Sequence, residues 1–317
     1  MMFEVRKYTP EHQVLWDSFV RNSRSPLFMF ERGYMDYHSD RFEDESLMFY
    51  RDNELLAVMP ASRHDNQLRS HGGLTYGGMI YGEKMKQHTM LDCFSALREF
   101  CDRNEIATVL YKKIPHIFYL QPAEEDQYAL FVNNAQIVSV GSSTVVNVKC
   151  PYKMLKGRKA QITRAKREGV VISETKNFDA FFELENNVLL NRHGVVAVHT
   201  AKEMELLQQK FPKNISCVVA FYDGAMIAGA ILFVYDSVVH TQYLAADDKA
   251  REIGALDLVV SECLNKYSSM QFSYFDFGTS QDPHGGGGVN EGLKSQKEGF
   301  GGRTIVQTTW ELSWERL

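Results

Sequence analysis

The chain has 317 residues with 40 acidic and 35 basic side chains, which gives a net charge of −5. This length suits about two domains of ~150 residues, and 44% hydrophobic and 12% aromatic content excludes a disordered chain. The slightly acidic balance argues against a DNA-binding protein, and the longest apolar stretch, residues 225–235, is much shorter than the ~20 residues that span a bilayer.

The cysteines indicate the compartment. They are few, scattered and without a CxxC pair, which favours reduced thiols over a disulfide framework or a zinc site. The start of the chain lacks the basic and then apolar pattern of a signal peptide. We therefore expect a cytoplasmic protein, and we find no cluster of metal-ligating residues in the sequence. The five cysteines are Cys93, Cys101, Cys150, Cys217 and Cys263.

In the first half, hydrophobic periodicity and turn residues predict an alternation of strands and helices. The helix over residues 87–103 has a clear apolar stripe, and Asp52 and Asn53 separate two apolar runs as in a hairpin. The predicted elements are strand 3–7, helices 11–21 and 30–37, strands 47–50 and 55–60, helix 87–103 and strand 107–111.

In the second half, the same reading predicts a basic helix over residues 153–167 and then a longer series of elements. Asp223 and Gly224 form one of the best short-range hairpin signals. The further predicted elements are strand 170–173, helices 179–191 and 202–210, strands 215–222, 226–235 and 238–245, helix 254–267, strand 272–277, helix 290–300 and strand 304–312.

Two hairpins about 170 residues apart suggest a duplication. The run FYRDN at residues 49–53 and the run FYDG at residues 221–224 are each followed by a third strand, a helix and another strand. A repeat of this length indicates a duplicated domain, because solenoid repeats have periods of ~20–50 residues. We therefore predict two domains, residues 1–150 and residues 151–317, with chance similarity of the hairpins as the alternative.

Three stretches resemble a known family. They are KGRKAQITRAKREGV at residues 156–170, the hairpin and third strand from FYDG at 221–224 to YLA at 243–245, and DFGTS at 276–280 followed by NEGL at 290–293 and KEGFGG at 297–302. With the element order, they resemble the tandem-GNAT, FemAB-like acyltransferases, a group that includes the Fem-type peptidoglycan aminoacyltransferases.

The resemblance implies an α/β (α+β) fold of two tandem GNAT-like units, each a mixed, mostly antiparallel sheet flanked by helices. It also implies transfer of an acyl group from acyl-coenzyme A or aminoacyl-tRNA to a primary amine. The first unit has no second donor turn and is expected to shape the acceptor site. The second unit is expected to bind the donor and to carry the catalytic residues.

In GNAT folds the donor pyrophosphate binds where the third strand turns into the next helix. On that basis the predicted cofactor-binding residues are Leu244, Ala245, Lys249, Arg251, Gly254 and Ala255. Arg251 and Gly254 match the start of the family pattern, whereas Leu256 stands where a second small residue is usual. Asp247 and Asp248 put negative charge beside the expected phosphate, and the alternative is that they cap the helix.

The predicted catalytic residues lie on two strands. His240 has a suitable reference pKa, near ~6.5, for a base at neutral pH, and Tyr243 could protonate the leaving group. Asp276 lies in an otherwise aromatic strand and could accept a proton or orient the amine. For each of them the alternative is a structural hydrogen bond within the sheet. Backbone N–H groups around residues 243–245 could stabilise the carbonyl oxygen.

The predicted substrate-binding residues are Arg158, Arg164, Arg167, Ser280, Asn290 and Lys297. Seven basic residues and no acid occupy residues 153–167, which favours a surface for a phosphorylated partner over an ordinary solvated face. Arg164 and Arg167 are three residues apart and could reach one anion together. Residues 285–288 are read either as a loop over the acceptor cleft or as an insertion without a role.

We therefore expect a cytoplasmic N-acyltransferase that uses acyl-coenzyme A and no metal. The acceptor would be a small-molecule or lipid-linked amine of a cell-envelope precursor, with peripheral contact to a membrane-bound precursor as a further expectation. One alternative is an aminoacyl-tRNA-dependent Fem-type enzyme, with tRNA as the partner. The other is a non-catalytic protein of the same fold that binds an anionic ligand. The oligomeric state is not predicted.

Overall fold

A computed structural model describes residues 3–281 and 288–314. Its contacts divide the chain into two compact units, Met1–Gly141 with Val306–Leu317, and Ser142–Ile305. This division falls earlier than the predicted boundary at residue 150, and it assigns the end of the chain to the first unit. Within the described ranges, no helix combines the length and apolar character needed to cross a membrane.

The first unit contains short strands and one long helix, with single 3-10 turns at Pro10–His12, Phe28–Phe30, Asp36–His38 and His116–Phe118. Its elements are β1 (Phe3–Lys7), α1 (Gln13–Arg21), α2 (Arg32–Met35), β2 (Glu43–Asp44), β3 (Leu47–Arg51), β4 (Glu54–Met59), β5 (Ser62–His64), β6 (Gln67–Arg69), β7 (Ile80–Tyr81), α3 (Gln87–Arg103), β8 (Thr108–Lys112) and α4 (Glu125–Val132). β9 (Gln136–Asn147) follows and continues into the second unit.

The strands of the first unit pair in two groups. The order β1-β3-β4-β7 forms a four-stranded antiparallel sheet, in which Asp52 and Asn53, both with positive φ, make the turn of the β3–β4 hairpin. In the second group, the β5–β6 hairpin lies beside β8, and β8 pairs in antiparallel fashion with residues 309–313 near the end of the chain. The apolar stripe of α3, including Phe94 and Leu97, packs into the core of this unit.

The second unit alternates longer strands with helices. Its further elements are α5 (Lys156–Arg167), β10 (Val171–Thr175), α6 (Phe178–His193), α7 (Ala201–Lys210), β11 (Ile215–Tyr222), β12 (Ala225–Val234), β13 (Val238–Ala246), α8 (Asp248–Ile253), α9 (Ala255–Ser268), β14 (Tyr274–Thr279), α10 (Glu291–Gly299) and β15 (Arg303–Ser313), whose last residues belong to the first unit.

The sheet of the second unit has the order β10-β11-β12-β13-β14-β9, and only its β13–β14 pair is parallel. Ala228 and Ala230 face the core cluster that α9 fills with Leu258 and Val259. Gly229 between them faces α6, where an added Cβ would lie 3.1 Å from the ring of Phe181. Since successive side chains of a strand alternate between faces, α9 and α6 cover opposite faces of the sheet.

The predicted mixed, mostly antiparallel sheets flanked by helices are confirmed. The two hairpins, α3 and most elements of the second unit lie where the sequence predicts them. The basic helix was predicted from residue 153 and begins at Lys156, and the helix predicted over residues 254–267 is preceded by α8. α4, β9 and the short strands β2, β5, β6 and β7 were not predicted.

Candidate functional site

The central feature of the second unit is a place where two neighbouring strands separate. β13 and β14 pair in parallel only over three positions, which end at His240 and Asp276. β13 then continues to Ala246, with a bulge at Gln242 in its pairing with β12. Beyond His240, backbone N–H groups on the β14 side of β13 therefore have no partner in that strand, and they can donate to a ligand.

The separated strands open into a cleft of about 800 Å³. This volume is suitable for a small-molecule or cofactor site. β13 and β14 contribute Leu244, Ala246 and Phe277, and five helices contribute one face each. The helical part of the lining is Arg158 and Gln161 from α5, Glu185, Val188, Leu189 and Arg192 from α6, Ala250 and Arg251 from α8, Leu256, Asp257 and Val260 from α9, and Gly292, Leu293, Gln296 and Lys297 from α10, with Asn290 and Phe300 at its ends.

His240 and Asp276 lie side by side at the closed end of the separation. His240 Nδ1 is 2.9 Å from Asp276 Oδ2, and the backbone N–H of Gly278 donates to Asp276 Oδ1 at 2.8 Å. Asp276 is completely buried, whereas the side chain of His240 is 13% exposed. The two predicted catalytic residues are thus brought together, but Leu244 and Phe277, not this pair, line the cleft.

We expect Asp276→Ala to destabilise the protein by about 3 kcal/mol, because it leaves the buried N–H of Gly278 unpaired and His240 without its carboxylate. Asp276→Asn should cost less, since an amide can still accept from Gly278. Urea denaturation of both variants measures the difference. Equal stability of the alanine variant and the wild-type chain would show that the dyad does not hold the strands together.

Tyr243 does not line the cleft and is held by the segment between α6 and α7. The backbone N–H of His199 donates to Tyr243 Oη at 3.1 Å, and the same oxygen is 2.7 Å from His199 Nδ1. Burial raises the pKa of Tyr243 to about 12, with the charge of Glu185 contributing. The phenol therefore keeps its proton at neutral pH, and its role in protonating a leaving group stays a prediction.

The start of α8, where the donor phosphate was expected, is already filled by acids of the chain. Asp247 caps the helix by accepting a hydrogen bond from the N–H of Ala250 at 2.7 Å, as the alternative prediction had it. Arg192 donates to Asp248 at 3.0 Å. Negative charge at this helix start weakens its attraction for a pyrophosphate.

The predicted donor residues divide into two groups. Leu244 and Arg251 line the cleft, and Arg251 Nε donates to the carbonyl of Ala246 at 3.1 Å. Gly254 has φ +80° and separates α8 from α9, while Ala245 and Ala255 are buried in the core. Lys249 donates to Glu252 at 3.2 Å and does not line the cleft.

Several basic residues of α5 pair with acids, most of which lie on α8 and α9 and are distant in sequence. Arg158 lines the cleft and donates to Asp257 at 2.8 Å. Arg164 and Arg167 do not line it and take separate partners instead of one shared anion, Glu252 at 3.6 Å and Glu168 at 3.5 Å. The positive charge of this helix is therefore partly balanced within the protein.

α10 places the last group of predicted residues. Asn290 caps this helix, since its side chain accepts a hydrogen bond from the N–H of Leu293, and it lines the cleft. Ser280 is buried, and its Oγ has no hydrogen-bond partner among the described residues. Of the predicted loop 285–288, residues 285–287 lie outside the described residues.

Lys297 of α10 is a buried cation that faces the cleft and is only 4% exposed. Its Nζ donates to the carbonyls of Gly278 and Thr279 at 3.1 and 2.6 Å. Burial lowers its pKa to about 8, against the opposing effect of Asp276. An ammonium group has three donors, so one N–H remains for an anionic ligand in the cleft.

The sequence reasoning missed Glu185 on α6. This side chain is 6% exposed and lines the cleft. Burial raises its pKa from 4.5 to about 7. A signal was available, since Glu185 follows Phe181 and Phe182 at helical spacing and so interrupts the apolar face of its helix.

Comparison with known proteins shows which family of domains the region around this cleft is similar to. Residues 153–285, which include β13, α8 and β14, match the family model described as an acetyltransferase (GNAT) domain. The matched residues lie within the second unit. Sequence comparison with curated proteins gives no match.

Many solved structures are similar to this chain, and three that match nearly all of it serve as examples. FemX has a TM-score of 0.69 at 10% identity, with 98% of this chain and 97% of that chain covered. L-PGS from Bacillus licheniformis has a TM-score of 0.62 at 11% identity, with 98% and 94% covered. A tandem GNAT protein from the clavulanic acid biosynthesis pathway has 0.55 at 8%, with 98% of both chains covered. At these identities the likeness concerns the fold, and it confirms the predicted tandem-GNAT fold of the FemAB-like kind.

Proposed function

We propose that this protein is an N-acyltransferase that moves an acyl group from acyl-coenzyme A to a primary amine. The observation that carries the proposal is the separation of β13 and β14, which opens a cleft of about 800 Å³ within the GNAT domain. Backbone N–H groups of β13 that have no partner in β14, together with several cations around the opening, would supply the groups that acyl transfer from an anionic donor requires.

The charges around the cleft favour an anionic donor. Arg158, Arg251 and Lys297 each contribute a cation, and each already makes a hydrogen bond that fixes its position. Since these cations are oriented before the ligand arrives, little ordering is needed on binding. Leu244 and Phe277 add apolar surface for an acyl chain or for the arm of the donor.

The reaction replaces a thioester with an amide. The neutral amine attacks the carbonyl carbon, and the resulting oxyanion is stabilised by N–H groups on the free side of β13, where one well-placed donor is worth about 3 kcal/mol of barrier. The tetrahedral intermediate then expels the thiolate, which takes up a proton, and the amine nitrogen loses one. The cleft therefore needs an oriented carbonyl, a deprotonated amine and an acceptor for the proton.

The acceptor class comes from the sequence resemblance to the Fem-type enzymes. On that basis we propose a small-molecule or lipid-linked amine of a cell-envelope precursor, modified in the cytoplasm. The first unit is proposed to contribute to recognition of this acceptor. Contact with a membrane-bound precursor is part of the same proposal.

One observation favours a second donor, aminoacyl-tRNA. Asp247 already caps the start of α8, and Asp248 is paired with Arg192, so carboxylates occupy the region where a pyrophosphate would bind. An aminoacyl-tRNA ester also presents an acyl carbonyl on an anionic carrier, but its charge is on a phosphodiester backbone and it need not place a diphosphate at that helix. The basic residues of α5 that lie outside the cleft could then contact the nucleic acid.

A thermal-shift titration with acetyl-coenzyme A, longer acyl-coenzyme A species and free coenzyme A tests the donor. We expect a saturable rise in Tm, equivalent to about 2.7 kcal/mol when the ligand is at 100 times its Kd. The rise should be lost in Arg251→Ala, which removes a cation of the cleft, and kept in Arg98→Ala, which removes an exposed arginine of α3.

The other outcomes decide between the alternatives. Stabilisation by charged tRNA, without stabilisation by any coenzyme A species, would indicate that the donor is aminoacyl-tRNA and not acyl-coenzyme A. Stabilisation by both acyl-coenzyme A and free coenzyme A, with no amide formed from any amine supplied, would indicate a ligand-binding protein of this fold. Equal shifts in Tm for Arg251→Ala and the wild-type chain would show that the donor binds outside this cleft.

A further inference from the structure

Glu185 is a buried acid in the cleft, and no side chain or backbone group among the described residues pairs with it. It lies on the face of α6 that also presents Val188 and Leu189 to the cleft, so its immediate surroundings are largely apolar. Its carboxylate has no hydrogen bond or ion pair with any described residue, although the side chain is 94% buried. Because buried polar groups in proteins are nearly always paired, an unpaired carboxylate that faces a cleft is suited to pair with a cationic ligand that binds there.

The charged groups that surround Glu185 are engaged elsewhere. On its own helix, Arg192 pairs with Asp248, and across the cleft each cation is held by a different partner. Beneath it, Tyr243 is bonded to His199, next to Glu203 of the α7 capping box. The other titratable groups of the lining are Arg158 with Asp257, Arg251 with the carbonyl of Ala246, and Lys297 with the carbonyls of Gly278 and Thr279.

We propose that Glu185 binds the ammonium group of the acceptor and removes its proton, which makes the α6 side of the cleft the acceptor end of the site. This inference rests on the proposed acyl transfer. An alkylammonium ion supplies the positive charge and the donors that the carboxylate lacks. The apolar surroundings hold the pKa of Glu185 near 7, which suits a group that must both accept and release a proton at neutral pH.

Each of the three protons of the acceptor's ammonium group has a defined destination: Glu185, the thiolate or the amide nitrogen. The acceptor R–NH3+ gives one proton to the carboxylate of Glu185 and becomes R–NH2. The amine attacks the thioester carbonyl, and when the carbon–sulfur bond breaks, the thiolate takes up the second proton lost by the nitrogen. Glu185 then releases its proton to water, so that acyl thioester and R–NH3+ yield amide, free thiol and one H+.

Calorimetry on the wild-type protein tests whether Glu185 binds an ammonium group, and it does not require the acyl-transfer reaction. The probes are n-butylammonium chloride and, as the neutral control of similar size, n-butanol. We expect n-butylammonium to bind at pH 8 and to bind at least ~10-fold more weakly at pH 5, where Glu185 is protonated. Equal binding at both pH values, equal binding of n-butanol, or no binding of the amine at pH 8 would overturn the proposal.

The variant Glu185→Gln tests the proton transfer. With alkylamine acceptors, we expect kcat/KM for thiol release to fall by ~10²–10⁴ and to lose its dependence on a group titrating near pH 7. With an aminooxy acceptor, which is already neutral at pH 7, the loss should be much smaller. Glu183→Gln removes an exposed carboxyl from the same helix and is the matched control.

The outcomes separate this inference from the proposed function. If the wild-type protein transfers acyl groups and Glu185→Gln does so equally well, the inference fails and the acyltransferase stands. If the wild-type protein transfers no acyl group from any donor, the proposed function fails, and the calorimetric result still decides whether Glu185 is an ammonium site. A uniform loss with alkylamine and aminooxy acceptors would assign Glu185 a structural role only.

Discussion

The variant Glu185→Gln is expected to be more stable than the wild-type chain at high pH, and its advantage should grow as the pH rises. Folding raises the pKa of Glu185 from 4.5 to about 7, so between these values the folded state binds more protons than the unfolded state. Stability contributed by this group is therefore lost as the pH rises through 7. Glutamine does not titrate, and between pH 5 and pH 8 its advantage should increase by roughly 2–3 kcal/mol.

Urea denaturation of the two proteins at pH 5, 6, 7 and 8 measures this increase directly. The quantity compared is the change in the free energy of unfolding between two pH values. Any cost of burying the amide that does not depend on pH cancels in this comparison. Glu183→Gln, two residues away on α6, controls for the removal of one negative charge from the helix. An equal pH dependence in both variants would mean that the carboxyl of Glu185 is hydrated in solution.

A second large effect is expected at Gly254, between α8 and α9. Its φ is +80°, which costs a residue with a side chain about 1–2 kcal/mol, and an added Cβ would lie 2.6 Å from the backbone oxygen of Gln161. Relief of that contact would push α5 away from α9. We expect Gly254→Ala to lose about 3 kcal/mol or more of stability, together with any stabilisation by acyl-coenzyme A.

Gly157 of α5 offers a matched control. An added Cβ there meets no atom within 4 Å, and alanine favours the helical conformation by about 0.5 kcal/mol near a helix end. Gly157→Ala should therefore leave stability unchanged or slightly raised. If thermal denaturation shows the two variants to be equally stable, the close approach of α5 to Gly254 is not a feature of the folded protein.

Local sequence signals were sufficient for much of the fold. Asp223 and Gly224 both adopt positive φ in the predicted hairpin, and the apolar stripe of α3 defines a helix without reference to the rest of the chain. β9 was missed because its middle, with Gly141, Ser142 and Ser143, has the composition of a loop. Its pairing with β14 is what makes it a strand, and such pairing is a tertiary effect.

The site was only partly predictable, since it depends on residues that are distant in sequence. His240 and Asp276 were singled out separately, but their contact comes from the parallel register of β13 with β14. The charge of Arg164 was read as unbalanced because its partner, Glu252, lies on another helix. Glu185 has the same side chain as exposed Glu183, and only the packed structure distinguishes the two.

The position of the last strand affects how the protein can be made in the cell. Residues 309–313 pair with β8, and Trp310 and Leu312 belong to the core of the first unit. During synthesis, β8 leaves the ribosome about 200 residues before its partner does, at ~5–20 residues per second. The second unit can fold in this interval, but β8 of the first unit keeps an open strand edge until residues 309–313 have been synthesised. The unit whose synthesis begins first is therefore the last to complete its fold.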